Sequence, residues 1–366
     1  MGEKLKVGLA CDARYMDRGI KDHEVETLNE FATFEWREFT ESSDWYSPPI
    51  SSEDVVADFI DFASGVDAMV VCHGSPRVTP EILDATPNLR LIGELEGDRF
   101  AQRIDVAACI ERGVKAVDTT HASSLPVSEW ALAMMMMGLK KVGAHYRRMI
   151  AHEEWGTGYQ RVHHPDFQMM GDLTGRTVGL IGGGNIARRL IELLVPFRVD
   201  ILVHDPYLPR ELASAMNFTM TSLKNVMSIP DVVVCLVPHT PATEGMLGAK
   251  ELGWMRHGAV FVNVSRGQVV QSDALIDRLR QNDIYACLDV FDPEPVPVDS
   301  PIRHFWNVFL TPHIASTVDG TGISFFGEMI DELRRFHLGH DTKHDLMPRT
   351  LANRRGESPG DLDAVR

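Results

Sequence analysis

Basic residues are short relative to acidic ones: 36 Lys and Arg stand against 52 Asp and Glu, for a formal net charge of −16. A surface of that sign repels a polyanion, so nucleic acid is not expected as a partner. Long apolar runs are also missing. The longest nearly uninterrupted one, residues 130–139, is about half of the roughly 20 residues that a spanning helix needs, so no membrane partner is expected. The opening MGEKLKVGLACD reaches an Asp too early for a secretory apolar core, and Lys6 stands where a myristoylation signal needs Ser or Thr. Cysteine is scarce: Cys11, Cys72, Cys109, Cys235 and Cys287 are odd in number and form no CxxC pair. That pattern excludes a disulfide framework or zinc ribbon and fits reduced core residues of a cytoplasmic protein.

The content that remains is that of a packed globular protein. Hydrophobic residues at 44% and charged residues at 24% of 366 exclude disorder and coiled coil. At roughly 150 residues per domain, the length predicts about two domains. Short β-rich runs at 6–11, 34–39, 68–72, 89–93 and 115–118 alternate with helical patterns such as 52–63 and 105–112, which predicts a first parallel-sheet α/β domain. Residues 128–150, with a cap-like Ser128 and basic residues near their end, read as one long helix leaving that domain. Its four consecutive methionines read as interface or inter-domain packing. Residues 151–172 turn polar and read as a linker; His163 and His164 are adjacent, their side chains diverge, and no metal site is expected there. Six more strands follow, at 177–181, 200–204, 232–236, 260–264, 285–290 and 308–310, and predict a doubly wound sheet. A helix over 321–336 comes next, and the polar tail beyond Gly339 reads as loosely held.

The most informative motif is TVGLIGGGNIARRL at 177–190. Gly182, Gly184 and Ala187 occupy the three small-residue positions of GxGxxA, between an apolar strand and a helix-forming run. Gly182 permits a tight turn, Gly184 permits close approach of a pyrophosphate, and the helix beginning near Asn185 offers free N–H groups to that anion. Asp205 closes the next strand 23 residues after Gly182; its carboxylate accepts a ribose hydroxyl and repels a 2′-phosphate, which favours NAD over NADP. Arg266, Glu294 and His313 each follow a strand of this second series, so a parallel sheet brings them to the rim that holds the glycine loop. Taken singly, each has an ordinary structural reading as a surface Arg, a loop carboxylate or a core His. Taken with the glycine loop they read as a site.

The segments LTGRTVGLIGGGNIA (173–187), HDPY (204–207), VPHTPATEGML (237–247), LGWMRHGAVFVNVSRG (252–267), ACLDVFDPEP (286–295) and TPHIAST (311–317) make the chain resemble the D-isomer-specific 2-hydroxyacid dehydrogenases. The resemblance implies an α/β fold of two doubly wound parallel-sheet domains, a Rossmann NAD-binding domain at 123–315 inserted in a flavodoxin-like substrate domain made of 1–122 and 316–340, with a polar tail at 341–366. It implies that Arg266, Glu294 and His313 are the catalytic residues. It also implies that Asn185, Ile186, Asp205, Val237, Val264 and Asp289 line NAD beside Gly182 and Gly184, and that the long helix packs in a homodimer. The implied partner is a small 2-hydroxy or 2-keto acid. The chemistry is consistent: a guanidinium binds the carboxylate beside the reacting carbon, and a His–Glu dyad moves the proton while hydride passes to or from the nicotinamide. Formate dehydrogenases of this fold lack the Glu, so Glu294 speaks against that activity. A catalytically weak NAD-binding scaffold, like the corepressors that resemble this family, is the alternative.

The chain departs from the family in its first domain. Where the family has a Gly-rich substrate loop, residues 94–105 read ELEGDRFAQRID, with Glu94, Glu96, Asp98 and Arg99 and only Gly97 kept. Residues 118–129, DTTHASSLPVSE, also depart, and place His121 and Ser123 near the expected inter-domain cleft without an assigned role. Trp45 and Tyr46 sit in a Pro-rich loop that reads either as local packing or as a cover for that cleft. If the 94–105 loop reads a polar substrate tail, Glu96→Ala and Arg99→Ala reorder the ranking of 2-keto acids in a turnover assay; an unchanged ranking makes it a solvated charged loop.

Overall fold

The computed structural model describes residues 3–42, 48–96, 103–153, 171–316, 324–347, 352, 353 and 357. The expectations placed on Trp45, Tyr46, Gly97, Asp98, Arg99, His163 and His164 lie outside the described residues. The chain forms two compact units, one of Met1–Ser123, Asp319–Arg354 and Ala364–Arg366, the other of Ser124–Val318 and Arg355–Asp363.

The first unit holds five parallel strands, β1 (Leu5–Cys11), β2 (Ala32–Glu38), β3 (Ala68–Val71), β4 (Leu91–Glu94) and β5 (Lys115–Asp118), in the order β2-β1-β3-β4-β5. Central β3 reads AMVV and is buried throughout, as a strand covered on both faces must be, whereas edge strand β2 is largely exposed. Helix Glu53–Ser64 covers one face with Phe59 and Phe62. Helix Phe325–His337 covers the other: Phe326, Met329, Ile330 and Leu333 recur at helical spacing and pack among Leu5, Val7, Leu9, Val70 and Leu91. Ser324 caps that helix by accepting the Gly327 N–H, and Arg334, Arg335 and His337 complement the dipole at its last turn.

The loosely held tail expected beyond Gly339 does not hold for residues 342–347. Asp345 bridges Val117 at the free edge of β5, the Leu346 N–H donates to the Ala116 carbonyl at 2.8 Å, and Leu346 is buried in the core. The exposed polar composition hid one apolar anchor and an open sheet edge that its backbone could satisfy.

The second unit holds seven parallel strands, β6 (Thr177–Ile181), β7 (Asp200–His204), β8 (Thr219–Met220), β9 (Val232–Cys235), β10 (Val260–Asn263), β11 (Tyr285–Leu288) and β12 (Val308–Leu310), in the order β12-β11-β10-β9-β6-β7-β8. Six were expected; β8 is two residues long, too short to leave a periodicity. All five cysteines are free and buried, and burial is the main cause that pushes the thiols up, Cys235 to about 12. No helix among the described residues is long and apolar enough to cross a membrane.

The single helix expected over 128–150 is two, Ser124–Leu139 and Val142–Ile150, broken at Lys141, whose φ is 51°. Tight packing accompanies the break on both sides. A Cβ on Gly138 would lie 2.4 Å from Val260 Cγ1, and one on Gly143 would lie 2.6 Å from the Val308 carbonyl oxygen. The two helices thus press onto β10 and β12 through glycines. Of the four methionines, Met134 and Met135 are fully buried in the unit's own core, while Met136 is exposed. Gly143→Ala forces a methyl against a backbone carbonyl that cannot rotate away. Its expected cost is about 1–3 kcal/mol, read as a lower denaturant midpoint at unchanged slope; an unaltered midpoint contradicts this seating.

Candidate active site

Because the seven strands are parallel, their carboxyl ends share one rim. The sheet order reverses at β6, which pairs with β9 on one side and β7 on the other, and open α/β sheets bind ligands outside the strand ends at such a point. Gly182 follows β6 there with φ +99°, a conformation that L side chains rarely adopt, and a Cβ on it would lie 3.0 Å from the Leu236 carbonyl. Gly184 begins helix Asn185–Leu194 with no side-chain cap, and nothing lies within 4 Å of where its Cβ would be. The helix start is therefore uncapped and open at Gly184, as an anion needs. Asp205 follows β7, and its carboxylate accepts from the Gly183 and Tyr207 N–H groups, each at 2.8 Å. Exposed Asn185, half-buried Ile186 and Val237, and buried Val264 complete this stretch of rim. An uncapped helix start, an open glycine cradle and a carboxylate at the end of the next strand fit a dinucleotide.

The three residues expected to be catalytic follow the adjacent strands β10, β11 and β12. His313 Nδ1 lies 2.5 Å from Glu294 Oε1, both side chains one-third exposed. The other Glu294 oxygen accepts the Phe291 N–H at 3.4 Å. With Nδ1 bound to a carboxylate, the imidazole orientation is set and Nε2 is the nitrogen left for other chemistry. Half-buried Arg266 donates from Nη1 to the Ser265 carbonyl at 2.8 Å.

Residues the sequence reading passed over hold this arrangement. Asn263, at the end of β10, accepts the Ser265 N–H at 3.1 Å and donates to the Arg266 carbonyl at 3.1 Å, bracing the turn that presents Arg266. The Ser265 hydroxyl donates to the Val237 carbonyl. A Cβ on Gly267 would lie 1.8 Å from the Phe291 carbonyl oxygen, so only glycine allows the Arg266 turn to meet the loop that carries Glu294. A polar residue closing the apolar run VFVN, and a glycine directly after the Arg, were the available signals.

Asp289, expected to line the cofactor, is fully buried with its carboxylate engaged. It accepts from Thr311 Oγ1 at 2.5 Å, from the Ile314 N–H at 3.0 Å and from the Ala315 N–H at 2.9 Å, while its carbonyl accepts the His313 N–H at 2.9 Å. These four bonds enclose His313, whose φ is 52°, a conformation unusual for a non-glycine residue that its surroundings must enforce. In the first unit, Glu94 is no free loop charge but forms a buried ion pair with Arg103 at 3.0 Å. Glu96 lies 2.5 Å from His73 Nε2.

Residues 132–315 match the family model described as D-isomer specific 2-hydroxyacid dehydrogenase, NAD binding domain. A glyoxylate reductase of Korarchaeum cryptofilum is 30% identical over 267 residues, covering 73% of this chain and 78% of that protein. A D-3-phosphoglycerate dehydrogenase of Methanocaldococcus jannaschii is 29% identical over 255 residues, 69% of this chain but 46% of that one. The chain thus spans about half the length of the phosphoglycerate dehydrogenases it matches. In fold it resembles a phosphoglycerate oxidoreductase from Rhizobium etli, with TM-score 0.74 and 23% identity over 93% of this chain and 97% of that one.

Asp289→Ala leaves two N–H groups and a hydroxyl without their acceptor. The expected loss is about 1–3 kcal/mol for each donor left buried, measured by chemical denaturation. A variant as stable as the parent shows that the carboxylate does not organise the 311–315 turn.

Proposed function

Because the chain belongs to the D-isomer specific 2-hydroxyacid dehydrogenase family, we propose that it is an oxidoreductase interconverting a 2-hydroxy acid and the corresponding 2-keto acid with NAD(H). The observation that carries the reading is the 2.5 Å contact between His313 Nδ1 and Glu294 Oε1 on the rim of the glycine cradle. NAD(H), held by Gly182, Gly184, Asn185, Ile186 and Asp205 with Val237, Val264 and Asp289 nearby, supplies or accepts the hydride when bound. Arg266 binds the substrate carboxylate through its planar guanidinium and polarises the adjacent carbonyl. His313 Nε2 gives a proton to the C2 oxygen in reduction and takes it back in oxidation. Glu294 holds Nδ1–H and stabilises the imidazolium formed in the second direction.

Asp205 selects NAD: its carboxylate has no place for a 2′-phosphate. A homodimer is the assembly we favour, since helix Val142–Ile150 exposes Tyr146, Met149 and Ile150 along one side. A cytoplasmic location is consistent with five reduced, buried thiols.

The test is NADH oxidation against glyoxylate, hydroxypyruvate, larger 2-keto acids and sugar-derived keto acids, with turnover of at least one expected. On that substrate His313→Gln lowers kcat by about 10²–10⁴-fold while the NADH dissociation constant measured by calorimetry stays within error. Parallel loss of NADH binding and turnover marks His313 as a structural residue and overturns the assignment.

A further inference from the structure

We propose that His121, Glu328 and His344 of the first unit form a binding site for one divalent transition-metal ion of the zinc class. The three come from distant parts of the chain. His121 lies in the turn Thr120–Ser123 that follows β5, Glu328 in the first turn of helix Phe325–His337, and His344 in the segment that pairs with the edge of β5. Their ligand atoms all lie within 4.8 Å of one another. His121 Nε2 is 3.7 Å from Glu328 Oε2. Two ligands held tetrahedrally at about 2.0–2.1 Å from one zinc ion are roughly 3.4 Å apart, so this pair needs only a small side-chain adjustment.

A plain surface ion pair does not account for the arrangement. The His121 side chain is only 16% exposed, and its Nδ1 is buried without a hydrogen-bond partner among the described residues, an unsatisfied state that side chains avoid. The His121 and His344 rings are stacked with centroids 3.3 Å apart and planes 20° from parallel. Two imidazolium ions placed this way would repel each other, whereas two neutral imidazoles keep the lone pairs that a metal requires. Stacked rings keep those lone pairs in nearly parallel planes, so binding turns one ring about its Cβ–Cγ bond until both reach the ion.

Each ligand stands on a rigid support, which lowers the cost of gathering them. The Thr120 N–H and hydroxyl donate to Asp118 Oδ1 at 2.7 and 2.5 Å and shape the His121 turn. Ser324 caps the helix below Glu328. The Asp118 N–H donates to the His344 carbonyl at 3.1 Å, and the Lys343 N–H donates to both Glu332 oxygens, at 3.2 and 2.9 Å. The Glu328 side chain is 43% exposed, which gives the ion an entry path and leaves room for water to complete its coordination. Two imidazoles and a carboxylate suit zinc, nickel or copper far better than magnesium or calcium. The ion would tie the end of β5, the last helix and the segment after it into one knot, stabilising the first unit by mass action.

The experiment uses the whole tag-free chain, stripped with a chelator and exchanged into metal-free buffer, then titrated with zinc chloride in competition with a chromophoric chelator. The proposal expects one zinc equivalent in the parent, lost in both His121→Ala and His344→Ala and kept in a His163→Ala/His164→Ala control. Glu328→Gln weakens binding by more than about 10-fold, and zinc raises the Tm of the parent but not of the two alanine variants. Cobalt(II) bound in place of zinc gives visible ligand-field bands that vanish in the same two variants. Should an alanine variant fail to fold, His344→Gln is read in its place by the same titration. Equal zinc stoichiometry in parent and variants, or no binding tighter than about 1 mM, overturns the site. None of these readouts depends on turnover of a hydroxy acid, so the outcome is independent of the proposed activity.

Discussion

The parallel pairing of the strands in the second unit is the constraint on which the site depends. A parallel strand returns to its start through a helical crossover, so every carboxyl end falls on one rim and the covering helices together bury both faces of the sheet. The all-buried VVVC of β9, VFVN of β10 and YACL of β11 are the sequence form of that rule. Because β10, β11 and β12 are neighbours, the three loops that follow them are neighbours as well. Those loops carry Arg266, Glu294 and His313, although 47 residues of chain separate the first from the last, and Glu294 and His313 touch there. The same geometry places Gly182 and Asp205 further along the rim, at the ends of β6 and β7.

Within that frame the candidate site is held by groups other than those proposed to react. Buried Asp289 gathers the 311–315 turn around His313, Asn263 brackets Arg266, and Gly267 lets two loops approach to a separation that no side chain tolerates. These residues differ in kind from the ones proposed to react. A buried acceptor or a missing Cβ acts by fixing distances, and a loop held by several hydrogen bonds keeps its geometry better than one held by a single bond. The left-handed backbone at His313 belongs to the same logic, since an unfavourable conformation persists only where its surroundings impose it.

The first unit uses the parallel rule with a different emphasis. Its sheet is completed by a segment from near the end of the chain, through the bridge between Val117 and Asp345, and its lower face by helix Phe325–His337. Chain ends therefore supply both the cover and the edge protection of a sheet whose strands lie near the start. His121, Glu328 and His344 meet because of that closure, and within the same unit Arg103 pairs with Glu94 inside the core. A buried ion pair of this sort contributes little net stability over apolar packing, but breaking it costs about 3–5 kcal/mol because one charge stays behind. The departure of residues 94–105 from the family pattern is in this part a matter of core structure.

What could be read from the sequence was whatever local periodicity and residue type encode. Among the described residues eleven of the twelve strands left short β-rich runs, the central ones because a strand buried on both faces is apolar along its whole length. The glycine cradle was legible because a positive φ and an open helix start demand residues without side chains, and the placement of Asp205, Arg266, Glu294 and His313 beyond β7, β10, β11 and β12 was legible because each follows a strand-like run. The sequence did not show the break at Lys141, the two-residue β8, the pinning of Leu346 or the inward turn of Asp289 and Glu94. Each of these depends on contacts that no local pattern encodes: a carbonyl of β12 facing Gly143, a free edge on β5, three donors converging from 311–315, a guanidinium reaching Glu94. Residue types decide what a strand or a loop can be. Only the folded chain decides which distant groups it meets, because hydrogen bonds and close packing act over a few ångströms in space and carry no record in sequence order.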